Sequence, residues 1–270
     1  MAHVGLLAYY AGLLASAAAP HFSLALSLRS GTATSQQNSL STNLFASGQD
    51  LLRTEPTAED KTTDCLDIIN KLRGENLKGL LETLSTADEQ EVTQSLKTIR
   101  VPITDPADPT AKKIAVKLAG DTNTCESGKD ANAEKYPGLV IPYAHGTQPK
   151  CSDLIQETYT AGLNHLKELN FDPSAGTYDV AVAPFNNVDA SNVAFLLWEE
   201  SKKVSCAATN NCSAGHNVLF CYFIDPLQEG DKPFTTELYN ALWGLETGAA
   251  FTSLPSVATV LLALALMIRT

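Results

Sequence analysis

Six cysteines, at positions 65, 125, 151, 206, 212 and 221, are the side chains best suited to covalent or metal chemistry in this 270-residue chain. A zinc site would want cysteine pairs at knuckle spacing with histidines close by. No pair here is separated by two residues, and His216 is the only histidine near the 206–221 group. The number is even, and all six lie in the central region, outside both hydrophobic ends. In an exported chain that pattern reads as three disulfides, with the connectivity left open. Other chemistry finds weaker footing. His165 falls beside apolar positions of a helical pattern, where packing or surface exposure is its expected use, and His145 and His216 fall in glycine-containing, solvated loops. Glu199 and Glu200 are adjacent, and neighbours on a strand point to opposite faces, so they form an exposed strand end rather than a facing pair of glycosidase carboxylates. The chain has no G-x-S-x-G nucleophile elbow and no phosphate-cradling glycine loop, so no catalytic residue, cofactor or metal is assigned.

The formal net charge is -11, and the basic residues are scattered, as at Lys112, Lys113 and Lys117 or Lys202 and Lys203. Nucleic acids and heparin-like polyanions need concentrated Lys and Arg, so neither is an expected partner.

The elements that must position these residues divide into two halves. Cys65, Leu66, Ile68, Ile69 and Leu72 recur at helical spacing over 64–72, with Gly74 as the stop. Thr86 and Glu89 have capping-box spacing, which predicts a helix over 88–99. Residues 101–132 are broken by Pro102, Pro106, Pro109, Gly120 and Gly128, leaving room for one short strand at 114–118. Ser152 is the expected cap of a long helix carrying Ile155, Tyr159, Leu163, Leu166 and Leu169, which ends at Asn170 before Pro173. Beyond it the period turns strand-like: 178–183, 193–198, 203–207 and 218–224 are short apolar or alternating runs. The last two, joined by 208–217, make a hairpin that stands Cys206 and Cys221 on neighbouring strands. Helices followed by strands give an α+β domain with helices packed on an antiparallel sheet.

Both ends read as targeting segments. The run Val4 to Ala15 carries no charge, and Ala15, Ser16 and Ala17 suit a signal peptidase, with cleavage after Ala17. A second apolar patch, Phe22 to Leu28, could carry cleavage towards Ser30. Residues 18–60 form a Ser/Thr-rich leader, flexible or O-glycosylated. At the other end an apolar tail, Leu254 to Ile268, spans only about 22 Å as a helix, against about 30 Å of bilayer hydrocarbon. Gly248, Ala249 and Ala250 precede it, the small-residue patch of a glycolipid-anchor (GPI) signal, with Gly248 as attachment site and 248–270 as the signal. A transmembrane anchor and a buried terminal helix are the competing readings. The folded domain is then 61–247, large enough for one core.

Trp198, Cys206, Cys212, then Phe220, Cys221, Tyr222, Phe223, Asp225 and Pro226 follow one another in an order similar to the C-terminal signature of the CAP superfamily (cysteine-rich secretory proteins, antigen 5, pathogenesis-related 1). Asn70 and Arg73 resemble the N and R of that family's "HNxxR" helix, with Ile69 where its histidine stands. Together with the anchor signal, the leader and the cysteines, the chain resembles the glycolipid-anchored surface antigens of coccidian parasites, the Eimeria-type family with a CAP-like core. The resemblance implies a three-layer αβα sandwich and a Cys206–Cys221 bridge. It leaves Cys212 to reach back to Cys65 or another upstream cysteine, with Cys65–Cys212 and Cys125–Cys151 the favoured pairs. It also places Asn192 where the family's "HYTQVVW" motif has its cleft histidine, a replacement that can neither titrate near neutrality nor ligate metal strongly. The sequon Asn211-Cys212-Ser213 sets glycosylation of Asn211 against oxidation of its central cysteine.

The expected function is therefore that of a non-enzymatic, monomeric surface antigen held to the membrane by a glycolipid, facing host-cell receptors and host antibodies. A CAP-like lipid or sterol carrier is the alternative, with the aromatic run at 220, 222 and 223 as cleft lining if it is not core. A hydrolase comes third.

Overall fold

The computed structural model describes residues 55–77 and 79–244. The expected signal peptide, most of the leader, the Gly248 attachment site and the apolar tail lie outside these residues. Among the described residues no helix is long and apolar enough to cross a membrane.

The chain runs β1 (Ala58–Asp60), α1 (Thr62–Gly74), β2 (Ser85–Thr86), α2 (Glu89–Thr98), α3 (Ala111–Ala119), β3 (Leu139–Ala144), α4 (Cys151–Glu168), α5 (Val188–Leu196), β4 (Lys203–Thr209), β5 (His216–Phe223) and α6 (Thr236–Leu242). The sheet order is β1-β4-β5-β3, with all three of these pairings antiparallel. The short β2 joins β4 in parallel, Ser85 opposite Lys203. The fold is α+β, helices on a largely antiparallel sheet. Side-chain alternation along β5 sorts the helices by face. The Sγ atoms of Cys206 and Cys221 lie within 4.8 Å of Cys65 Sγ on α1, whereas the next residue, Tyr222, meets Ser95 of α2 at 2.7 Å. Helices therefore cover both faces.

Local chemistry explains most boundaries. In α1 the buried Cys65, Ile68, Ile69 and Leu72 form one stripe. The capping box of α2 is Asp88 with Glu91, not Thr86 with Glu89: Asp88 accepts from the amides of Gln90 and Glu91, and Glu91 reaches back to the Asp88 amide. Thr86 is instead held in β2. The short strand expected at 114–118 is part of α3. Thr110 caps it, Ala111, Ile114, Ala115, Leu118 and Ala119 are buried, and Gly120 at φ 121° ends it. Ser152 does not cap α4; the cap position is Lys150, whose side chain makes no capping bond.

Two further expected strands need correction. Residues 193–198 belong to α5 and the turn after it, capped by Asn187 and buried from Ala190 to Leu196. Residues 178–183 form turns around Tyr178, whose ring packs against Phe185 and Phe195. The sheet edge is supplied by β3, a run the hydropathy pattern did not single out.

The disulfides are Cys65–Cys151, Cys125–Cys212 and Cys206–Cys221. The expected Cys65–Cys212 and Cys125–Cys151 pairs are thus exchanged. Packing gives the reason. Helix α1 lies against α4, which begins at Cys151, while the 210–215 hairpin loop docks on the segment before Glu126. There the Ser213 amide donates to Asn123 at 2.7 Å and the His216 amide to Cys125. A Cβ on Gly215 would lie 2.4 Å from the Cys125 carbonyl oxygen, so this docking requires the glycine at φ 58°.

Candidate functional site

Arg73 is the pivot of the residues singled out in the sequence. It projects from α1 with no exposed surface. Its guanidinium donates to the carbonyls of Glu82 at 3.1 Å, Leu196 at 2.8 Å and Trp198 at 3.0 Å, with Ser201 at 3.5 Å. Burial pulls its pKa from 12.5 down to about 10, with Glu82 acting in the other direction, so it stays charged at neutral pH. One turn earlier, Asn70 grips a single residue with both ends of its amide, donating to Leu84 O at 2.9 Å and accepting from Leu84 N at 2.7 Å. Ile69, at the position of the family's histidine, is fully buried core.

Asn192 repeats the two-ended grip on the sheet edge. It accepts from Val140 N and donates to Val140 O, both at 2.8 Å, and donates to Thr158 Oγ1 at 3.0 Å. Thr158 in turn donates to Asp189. Its surroundings ask for a donor and an acceptor side by side against the N–H and C=O of one residue, which an amide presents and the diverging nitrogens of an imidazole do not. Trp198 closes the other side. Its indole donates to Asp225 O at 3.0 Å, and Asp225 adopts φ 58° before the buried Pro226. Tyr222 is buried, and desolvation drives its hydroxyl pKa upwards against the pull of Ser95. Phe220 and Phe223 are fully buried, so the aromatic run is core rather than cleft lining. Asn70, Arg73, Asn192, Trp198, Tyr222 and Pro226 thus join loops to α1, α2, α4 and the sheet. Their side-chain polar atoms are consumed by backbone groups and by the hydroxyls of Thr158 and Ser95.

The remaining candidates are dispersed. His145 is exposed, its Nδ1 3.1 Å from Gly215 O, and His165 and His216 are half-buried on separate elements. Glu199 and Glu200 lie exposed in a turn, not at a strand end. Asn211 is exposed and accepts from Thr57 N at 2.7 Å, and its sequon's Cys212 is bridged. Among the described residues, the one constellation of three His, Cys, Asp or Glu side chains with ligand atoms close together is Cys65, Cys206 and Cys221, whose sulfurs are in disulfides.

A groove of about 680 Å³ lies where the start of α4 meets the β1 edge. Its walls include Lys61, Asp64, Tyr143, Lys150, Cys151 and Asn210. Lys61 lies 3.4 Å from Glu59 and 3.7 Å from Asp64. Tyr143 donates to Thr209 O, and burial, helped by Glu59, raises its pKa to about 12. Sequence reasoning missed this groove because its lining comes from four separate segments and contains no motif; the one signal was Cys151 beside a lysine.

Helices on both faces of an antiparallel sheet, three bridges and an Arg-centred lattice define a disulfide-braced α+β domain. No family model and no curated protein matches the chain. A solved structure does: the crystal structure of the Eimeria tenella surface antigen protein SAG19, at 68% identity and a TM-score of 0.68, over 71% of this chain and 99% of that one. The chain belongs to the Eimeria surface antigen family.

Proposed function

We propose that this chain is a non-enzymatic surface antigen, carried outside the parasite cell on a glycolipid attached at Gly248 and presenting its domain to host receptors and antibodies. The observation that carries the reading is the 68% identity spanning 99% of a parasite surface antigen. The domain's construction supports it. Three bridges and the buried Arg73 lattice favour one rigid shape, which is what a displayed surface needs. Helices on both sheet faces, Arg73 on α1 and Trp198 held to Asp225 favour a CAP-like three-layer core. With Asn192 engaged by Val140 and Thr158, that core would lack the family's cleft histidine.

Expressed on parasites, the protein should label intact cells with domain-specific antibody and be released by phosphatidylinositol-specific phospholipase C. Mass spectrometry of the released form should end it at Gly248. Retention after the enzyme, or a mature form that keeps the apolar tail, overturns the anchor. Failure of the released protein to bind host cells removes attachment and leaves display alone.

A further inference from the structure

Of the six cysteines, Cys151 is the most exposed: Cys65, Cys125, Cys206 and Cys221 have no exposed surface and Cys212 has 8%, while Cys151 is half-buried and lines the groove. Its partner Cys65 ends in a cluster where the Sγ atoms of Cys65, Cys206 and Cys221 all lie within 4.8 Å of one another. A second disulfide, Cys206–Cys221, therefore lies directly behind the first. We propose that Cys151 is a site of S-thiolation by small thiols of the glutathione class, and that thiolation is relayed inward by exchange of Cys65 onto the Cys206–Cys221 bridge.

Access decides which sulfur is attacked. A thiolate entering the groove meets Cys151, forms a mixed disulfide with its Sγ, and breaks the Cys65–Cys151 bond. Lys150, exposed and with no ion pair among the described residues, favours the arriving anion, while the groove's carboxylates, Glu59 and Asp64, are engaged by Lys61. The electron pair of the broken bond stays on Cys65 as a thiolate, a costly species without solvent. Attack on Cys206 or Cys221 relieves it: a new bond from Cys65 forms, the Cys206–Cys221 bond breaks, and the displaced thiolate takes a proton. One external thiol is consumed and no oxidant is required. The tether between α1 and α4 is lost, and a tether between α1 and the sheet replaces that between β4 and β5.

The test uses the intact protein held anaerobically with reduced glutathione, quenched with acid, alkylated and mapped as linked peptides by mass spectrometry. Glutathione should appear on Cys151 at least about tenfold faster than on any other cysteine. It should be accompanied by a Cys65–Cys206 or Cys65–Cys221 peptide, the displaced cysteine alkylated and Cys125–Cys212 intact. Earlier modification of another cysteine overturns the entry site. Alkylated Cys65 beside an intact Cys206–Cys221 bridge overturns the relay. A Cys206→Ala/Cys221→Ala double variant separates the steps: thiolation of Cys151 should persist and Cys65 should accumulate as the alkylated thiol. Loss of thiolation there refutes entry through Cys151 as an independent step.

Discussion

Arg73 satisfies the carbonyls of Glu82, Leu196 and Trp198 at once, so its loss is felt both in the segment before β2 and at the end of α5. Each buried carbonyl left without a donor costs about 1–3 kcal/mol. Arg73→Met should therefore lower unfolding free energy by about 3 kcal/mol or more, read from the urea midpoint. Arg73→Lys should recover only part, because an ammonium cannot span the fork that the guanidinium fills. Asn192 makes a sharper case. Asn192→Leu strands both the N–H and the C=O of Val140 and should cost about 2–4 kcal/mol by the same measurement. A loss well under 1 kcal/mol in either variant would mean that the lattice is ornamental to stability.

At the scale of elements, α4 and α5 approach so closely that a Cβ on Gly162 would lie 2.2 Å from Asp189 O. Gly162→Ala forces the helices apart, and a thermal melt should show a loss of about 1–3 kcal/mol despite alanine's better helix propensity. Asp88→Ala removes the acceptor for two α2 amides and should cost about 1 kcal/mol. The helices and strands were not equally legible in the sequence. The i, i+3, i+4 stripes of α1 and α4 were readable because each has a wet face, and β4 and β5 because turn residues bound them. Helix α5 was not: Ala190 to Leu196 is buried all round, so its apolar run has no polar face to reveal a 3.6-residue period and looks like a strand. Helix α3 hid among prolines, although Thr110 three residues before Lys113 was a usable cap signal. The exchanged disulfides have a deeper cause. Pairing Cys65 with Cys151 depends on α1 meeting α4 across a sequence separation of 86 residues, which no local pattern encodes.

Over the whole molecule, the buried polar groups set the response to pH, and tyrosines dominate the alkaline side. Burial raises Tyr143 and Tyr159 to about 12, with Glu59 and Glu75 adding to the effect. Desolvation drives Tyr178 and Tyr222 upwards as well, against hydrogen bonds from Ser191 and Ser95. Each folded-state pKa lies above the unfolded value of 10.0. Above that value the unfolded chain sheds phenol protons that the folded chain keeps, so the native state binds more protons and stability falls as pH rises. The contribution is complete below about pH 10 and is lost progressively through about pH 12 for Tyr143 and Tyr159. The formal net charge of -11 adds self-repulsion in the same direction, but salt screens repulsion far more than it screens buried phenols. Urea midpoints measured from pH 8 to 12 should therefore fall steeply above about pH 10, and added salt should restore only a minor part. Tyr222→Phe should cost about 1 kcal/mol at neutral pH through the lost Ser95 bond, yet flatten the alkaline decline because one proton-retaining group is gone. A decline that salt abolishes, or one unchanged in Tyr222→Phe, would assign the pH response to surface charge instead of the core.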